Sequence, residues 1–153
     1  MLPPDPNIDA IVQELRDKFH CYTFILYGSR ARGDAKETSD YDIMGITAEG
    51  NAVIRDARIW NGFYLDAFVY PESKISTPDE SMLSFRGGIV LSEMNGMGTL
   101  LLKRIEELYL AGPKLLPSHE IQVRRVWARK MLDRAKTGVR GSMERKLLLR
   151  NLQ

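Results

Sequence analysis

Apolar positions recur with two different periods along this chain, and their alternation predicts an order of elements. Ile8, Ile11, Val12, Leu15 and Phe19 fall at i, i+3, i+4, i+7 and i+11, one apolar stripe of a helix that Asn7 can cap. The run Tyr22-Thr23-Phe24-Ile25-Leu26-Tyr27 is β-branched and aromatic, and predicts a strand. It leads straight into Gly28-Ser29, a short helix over 29–34, a polar loop over 35–39 and a second strand over 41–47. Two more strand-like runs, 53–60 and 63–70, flank Asn61-Gly62, a hairpin turn in which both central residues need positive φ. Pro71 ends the second of them. Thr77-Pro78-Asp79-Glu80 has the cap, first-turn proline and capping-box Glu of a helix that Gly87-Gly88 would end. Ile89-Val90-Leu91 reads as a short strand at a sheet edge, and 97–110 as an amphipathic helix closed by Gly112-Pro113.

The pattern changes after Pro117. A long helix over 119–136 carries Ile121, Trp127, Ala128, Met131, Leu132 and Ala135 as its apolar side, and Gly138 and Gly141 break it. A further helix over 142–153, with Leu147, Leu148, Leu149 and Leu152, is expected to follow. The chain stops within that pattern without a capping signal. Either the natural domain continues or this end packs on a partner. The organisation predicted is a core over 1–112 and a C-terminal helical region over 117–153.

Charge supports the same division. Residues 117–153 carry ten Lys/Arg against Glu120, Asp133 and Glu144, whereas residues 1–116 carry twelve Lys/Arg against seventeen Asp/Glu. The basic segment is either a solvated helix face or a surface for an anion. No apolar run approaches the roughly 20 residues of a membrane helix. The N-terminus lacks the regions of a signal peptide, so a soluble, cytoplasmic protein is expected. The single cysteine, Cys21, excludes an internal disulfide, and with only His20 and His119 beside it a Cys/His zinc site within one chain is excluded too. Cys21 reads as a packed strand residue.

Chemistry concentrates in residues 28–42. Gly28 permits close approach of a phosphate to the backbone, a helix N-terminus after it presents free N–H groups, and the Ser29 hydroxyl can donate one bond more. Arg30 and Arg32 lie near enough to offer charge to a triphosphate, although Arg32 can equally pair with a loop carboxylate such as Asp34. Asp40 and Asp42, two residues apart at the start of a strand, project to one face. Alone they are equally a turn residue and a solvated carboxylate. Asp66, however, stands amid Phe63-Tyr64-Leu65 and Ala67-Phe68-Val69-Tyr70, where a carboxylate must be paired, neutralised or metal-bound. If 40–47 and 63–70 are neighbouring strands, the three carboxylates share a cleft suited to hard cations, chiefly Mg²⁺. Competing motifs fail: there is no Walker lysine, no Gly-x-Gly-x-x-Gly and no Gly-x-Ser-x-Gly. Arg32-Gly33-Asp34 is read as a chance adhesion tripeptide.

These residues resemble the DNA polymerase beta-like nucleotidyltransferase superfamily. The resemblance rests on the apolar strand ending in Gly28-Ser29, on Asp40-Tyr41-Asp42, and on Asp66 in a later strand. The form Gly28-Ser29-Arg30-Ala31-Arg32-Gly33 with Ser39-Asp40 looks most like small prokaryotic members, the minimal nucleotidyltransferases and relatives of aminoglycoside nucleotidyltransferases. It covers residues 22 to about 70 and is compatible with the chain to 112. The resemblance implies an α/β (α+β) fold, a mixed β-sheet core with flanking helices, followed by a C-terminal helical region. It implies transfer of a nucleoside monophosphate, AMP from ATP being favoured, with release of pyrophosphate by a Mg-dependent two-metal mechanism. Asp40 and Asp42 would bind both Mg²⁺ ions. Asp66 would bind the catalytic one and help deprotonate the acceptor, while Gly28 and Ser29 would hold the β and γ phosphates.

Three functions remain open at this point. One is nucleotidylation of a small-molecule or protein acceptor. The second is a minimal nucleotidyltransferase acting as an antitoxin that modifies and binds a helical toxin; a homodimer or a helical partner protein belongs with this reading. The third, less favoured, is a nucleic-acid module in which Arg124, Arg125, Arg129, Lys130, Arg134 and Arg140 meet phosphates, unless some of them close over the triphosphate. No membrane partner is expected. The helices after Pro117 lean toward an appended domain that shapes an acceptor pocket.

Overall fold

The longest apolar runs become the two central strands of a five-stranded mixed sheet. The computed structural model describes residues 4–137. It divides after Gly112 into two compact units. In the first unit, helix α1 (Pro6–Phe19) precedes strand β1 (Cys21–Tyr27), the short helix α2 (Gly28–Arg32) and strand β2 (Tyr41–Thr47). Strands β3 (Ile54–Trp60) and β4 (Phe63–Pro71) follow, then helix α3 (Glu72–Ile75), a 3-10 helix (Glu80–Phe85), strand β5 (Ile89–Ser92) and helix α4 (Met97–Ala111). The sheet order is β3-β4-β2-β1-β5. Only β2 and β4 run parallel; the other pairs are antiparallel. The mixed sheet with flanking helices is the fold class that the sequence predicts.

β1 and β2 are buried on both faces, which is why they read as continuous rather than alternating apolar runs. On one face, Ile8, Ile11 and Leu15 of α1 pack with Phe24, Leu26, Ile43, Leu65, Ala67 and Val69. On the other, Ile75, Met82, Phe85, Leu101 and Ile105 pack with Ile25, Tyr27, Met44, Ile46 and Tyr70. β3 is an edge strand, alternating between half-buried and exposed positions. The hairpin before β4 has the expected positive φ at Asn61 (46°) and Gly62 (84°). Those two residues pin a register in which Trp60 faces Phe63 and Arg55 faces Phe68.

Some local expectations are corrected. Asp5, not Asn7, caps α1: its side chain accepts from the Asn7 N–H, and Pro6 occupies the first turn, where its missing N–H costs nothing. The helix expected from Thr77 is a shorter 3-10 segment capped by Asp79, which accepts from the Ser81 N–H. The Asp79 side chain is two residues from its target and outcompetes Thr77 for the cap.

In the second unit, α5 (Ser118–Thr137) spans the predicted long helix. Its apolar side is not a buried one: Trp127 and Leu132 are exposed, as are Val123 and Val126. Basic residues interrupt the stripe on both flanks, so no broad apolar face forms. The expected helix over 142–153, and Arg140 with it, lie outside the described residues. No helix among the described residues is long and apolar enough to cross a membrane.

Candidate active site

Two chain turns bring the predicted residues to the end of the central strands. β1 ends on Tyr27, and the backbone turns through Gly28 (φ 70°) into α2. Beyond any need for a phosphate to approach, Gly28 is required by Asp42. A methyl group there would lie 2.1 Å from Asp42 Oδ2 and 2.9 Å from its Cγ. No side chain caps the first turn of α2, so its leading N–H groups are open to solvent or to an anion. Ser29, in that turn, is half-buried, and its carbonyl accepts from Gly33 and Asp34 N–H groups to close the helix.

The carboxylates follow from strand register. Asp42 is aligned with Tyr27 on β1 and with Asp66 on β4. Aligned residues on adjacent strands point to the same face, and neighbouring strands lie about 4.8 Å apart. Asp42 and Asp66 are therefore side-by-side neighbours, both half-buried. Asp40 sits exposed, one residue before β2. Burial pushes the Asp42 carboxyl above its ordinary value, and the negative charges of Asp40 and Asp66 push it further; Arg32 and Arg30 offset this in part. Burial, together with the negative charges of Asp66 and Asp42, also raises the Tyr27 phenol. The three predicted aspartates are thus near enough for Asp42 to feel both of the others.

They are not drawn into a finished cage. Among the described residues no three His, Cys, Asp or Glu side chains are grouped closely enough to hold a metal ion. Asp66 is instead engaged by Arg55, whose Nε donates to Asp66 Oδ1 and whose Nη2 donates to Asp66 Oδ2, each at 2.8 Å. The donor set nevertheless fits a hard divalent cation, since it is all carboxylate oxygen and a desolvated Asp42 between like charges gains from one.

The arginines part company. Arg32 is an exposed partner of Asp34 at 3.3 Å, the pairing that its sequence context allowed. Arg30 is engaged with the protein. It donates to Ser39 O at 2.7 Å and to Asp40 O at 3.1 Å, and its guanidinium lies 3.8 Å from the centre of the Tyr41 ring. The Tyr41 hydroxyl in turn donates to Asp5 Oδ2 and accepts from Asn7 Nδ2, both at 3.0 Å. The start of α1, α2 and the residues before β2 are tied into one network that sets where Asp40 begins.

Sequence reasoning missed Arg55. The signal was present, because Asn61-Gly62 dictates the hairpin register. That register puts Arg55 on the same face as Asp66 and one diagonal step away.

No curated protein matches the chain. Among solved structures it is similar to a nucleotidyltransferase-like protein from Exiguobacterium sibiricum 255-15. The sequence identity is 13% and the TM-score 0.48, over 84% of this chain and 46% of that one. The chain thus spans less than half the length of that protein. Residues 8–94 match the family model of the nucleotidyltransferase domain. That span runs from α1 through β5, more than half of the chain, and takes in Gly28, Asp40, Asp42 and Asp66: the chain belongs to the nucleotidyltransferase domain family.

Proposed function

We propose that this protein transfers a nucleoside monophosphate, from ATP in preference to other triphosphates, to a small-molecule or protein acceptor. Transfer of a nucleotidyl group is the general chemistry of the family; the donor, the metal and the acceptor are our reading. The observation that carries it is the alignment of Asp42 with Asp66 on parallel strands, with the Gly28 turn packed against the Asp42 carboxyl.

In this reading the acceptor oxygen forms a bond to the α-phosphorus while the bond from that phosphorus to the bridging oxygen of the β-phosphate breaks, and pyrophosphate leaves. Asp40, Asp42 and Asp66 would hold Mg²⁺, two ions at full occupancy, supplying charge neutralisation for the triphosphate and activation of the acceptor. The open N–H groups at Gly28-Ser29 and the Ser29 hydroxyl bind the β and γ phosphates. Asp66 accepts the acceptor's proton. Arg32 exchanges its exposed partner for a phosphate oxygen. Arg30 acts through the Ser39 and Asp40 carbonyls, keeping Asp40 beside Asp42.

The test is pyrophosphate release from each nucleoside triphosphate with Mg²⁺, with and without a cell lysate as a source of acceptor. Acceptor-dependent release, greatest with ATP and lost in Asp42→Asn, is expected. Equal release by the variant would overturn the assignment.

A further inference from the structure

Asp66 faces a choice of cations. Its side chain is 16% exposed and both of its oxygens are taken by the Arg55 fork. The fork reaches it from β3, whereas Asp42 lies on the opposite side, on β2. Strand register sets Asp66 beside Asp42 on the neighbouring strand, so the fork and a cation held by Asp42 would compete for the same two oxygens. A bidentate fork fixes a carboxylate's direction as well as its charge. Mg²⁺ demands its oxygens at about 2.1 Å in near-octahedral array. A guanidinium 2.8 Å from the same two oxygens would oppose both the geometry and the charge. Arg55 is also free to leave. Its side chain is 55% exposed, and Ile59, four residues along on the same face of β3, is exposed as well. Its guanidinium also lies 5.1 Å from the centre of the Phe68 ring, a contact that survives loss of Asp66.

Resting on the reading of the three aspartates as metal ligands, we propose that Arg55 is a latch on Asp66: it holds the carboxylate toward β3 as an internal counter-ion, and a divalent cation must displace it to join Asp66 to Asp42. Arg55 is thus a positioning residue that sets how much metal the site needs. Arg58 supplies the control, because it lies on the same strand but the other face, where it pairs with Glu14 and Asp56.

The experiment is titration of Mn²⁺ into the full chain, followed by calorimetry and by the loss of free-ion electron paramagnetic resonance signal. Wild type, Arg55→Gln, Arg55→Lys, Arg58→Gln and Asp66→Asn are compared. A half-exposed pair is modest in energy, so Arg55→Gln should tighten Mn²⁺ about fivefold. Arg55→Lys, which lacks the fork, should fall between. Arg58→Gln should match wild type, and Asp66→Asn should weaken binding. A role confined to stability would not tighten metal binding. If wild type binds Mn²⁺ and Arg55→Gln binds it equally or more weakly, the latch is refuted while the metal site stands. If neither wild type nor Arg55→Gln binds Mn²⁺, the reading of the aspartates fails and the latch with it.

Discussion

Gly28→Ala tests whether the turn exists for the sake of Asp42. Two costs arise, and the structure separates them. The first is backbone strain, since φ is 70° at this position and an L side chain there costs about 1–2 kcal/mol. Reduced freedom of the unfolded chain returns roughly 0.4–1 kcal/mol of that. The second is the clash. The new methyl would sit 2.1 Å from Asp42 Oδ2 and 3.2 Å from Asp42 Cβ. Ordinary contact needs about 3.5 Å, so the carboxyl must retreat by more than about 1 Å. A misplacement of that size costs on the order of 100-fold in rate. Gly50→Ala isolates the first cost, because Gly50 has φ 97° and open space around it. Pyrophosphate release and urea unfolding, run on both variants, give the answer. Both should lose on the order of 1 kcal/mol of stability. Only Gly28→Ala should lose activity, by about two orders of magnitude. Activity within threefold of wild type in Gly28→Ala would refute the claim that the turn positions Asp42.

Other expectations are as direct. Asp42 carries a folded-state value above its ordinary one, so its stabilising share is present at acid pH and is lost as pH rises through the folded value. Asp42→Asn should therefore raise the Tm in EDTA at pH 7 and leave it little changed at pH 3; a lower Tm at pH 7 contradicts the electrostatic picture. Arg30→Ala removes two charge-assisted hydrogen bonds and the stack on Tyr41 from a side chain only 14% exposed, so urea unfolding should show a loss of about 2–4 kcal/mol. Arg30→Lys should recover little of it, and a loss below about 0.5 kcal/mol would dismiss the network. Arg32→Ala, by contrast, breaks an exposed pair worth at most about 1 kcal/mol; it should raise the KM for the triphosphate with Tm unchanged, and an unchanged KM removes Arg32 from the site. The Cys21 thiol, buried and pushed up to about 11, should resist a disulfide reagent at pH 8 until the protein is unfolded; rapid reaction in the native state would show that β1 opens.

Much of the fold was legible because it is local. The 3.6-residue and two-residue periods are properties of a helix and a strand backbone, so α1, β1, β2 and the Asn61-Gly62 hairpin could be read within a residue or two. The helix starts expected at Asn7 and Thr77 gave way to Asp5 and Asp79, because the choice of cap depends on which side-chain oxygen reaches the second N–H. The exposed apolar side of α5 shows the converse limit: periodicity says which residues share a face, not whether anything covers it.

The site divides in the same way. Gly28-Ser29 and Asp40-Tyr41-Asp42 were visible in the chain because each works through neighbours in sequence. That Asp66 belongs beside Asp42 was a conditional statement until the parallel pairing of β2 with β4 supplied the register. That pairing reverses nothing local. It is chosen by burial of Ile43, Leu65, Ala67 and Val69 against α1, contacts far apart in the chain whose loop-closure cost only the assembled core repays. The Arg55 fork on Asp66 and the pressure of Gly28 on Asp42 belong to that same tertiary level, since each joins groups that share an environment and not a sequence neighbourhood.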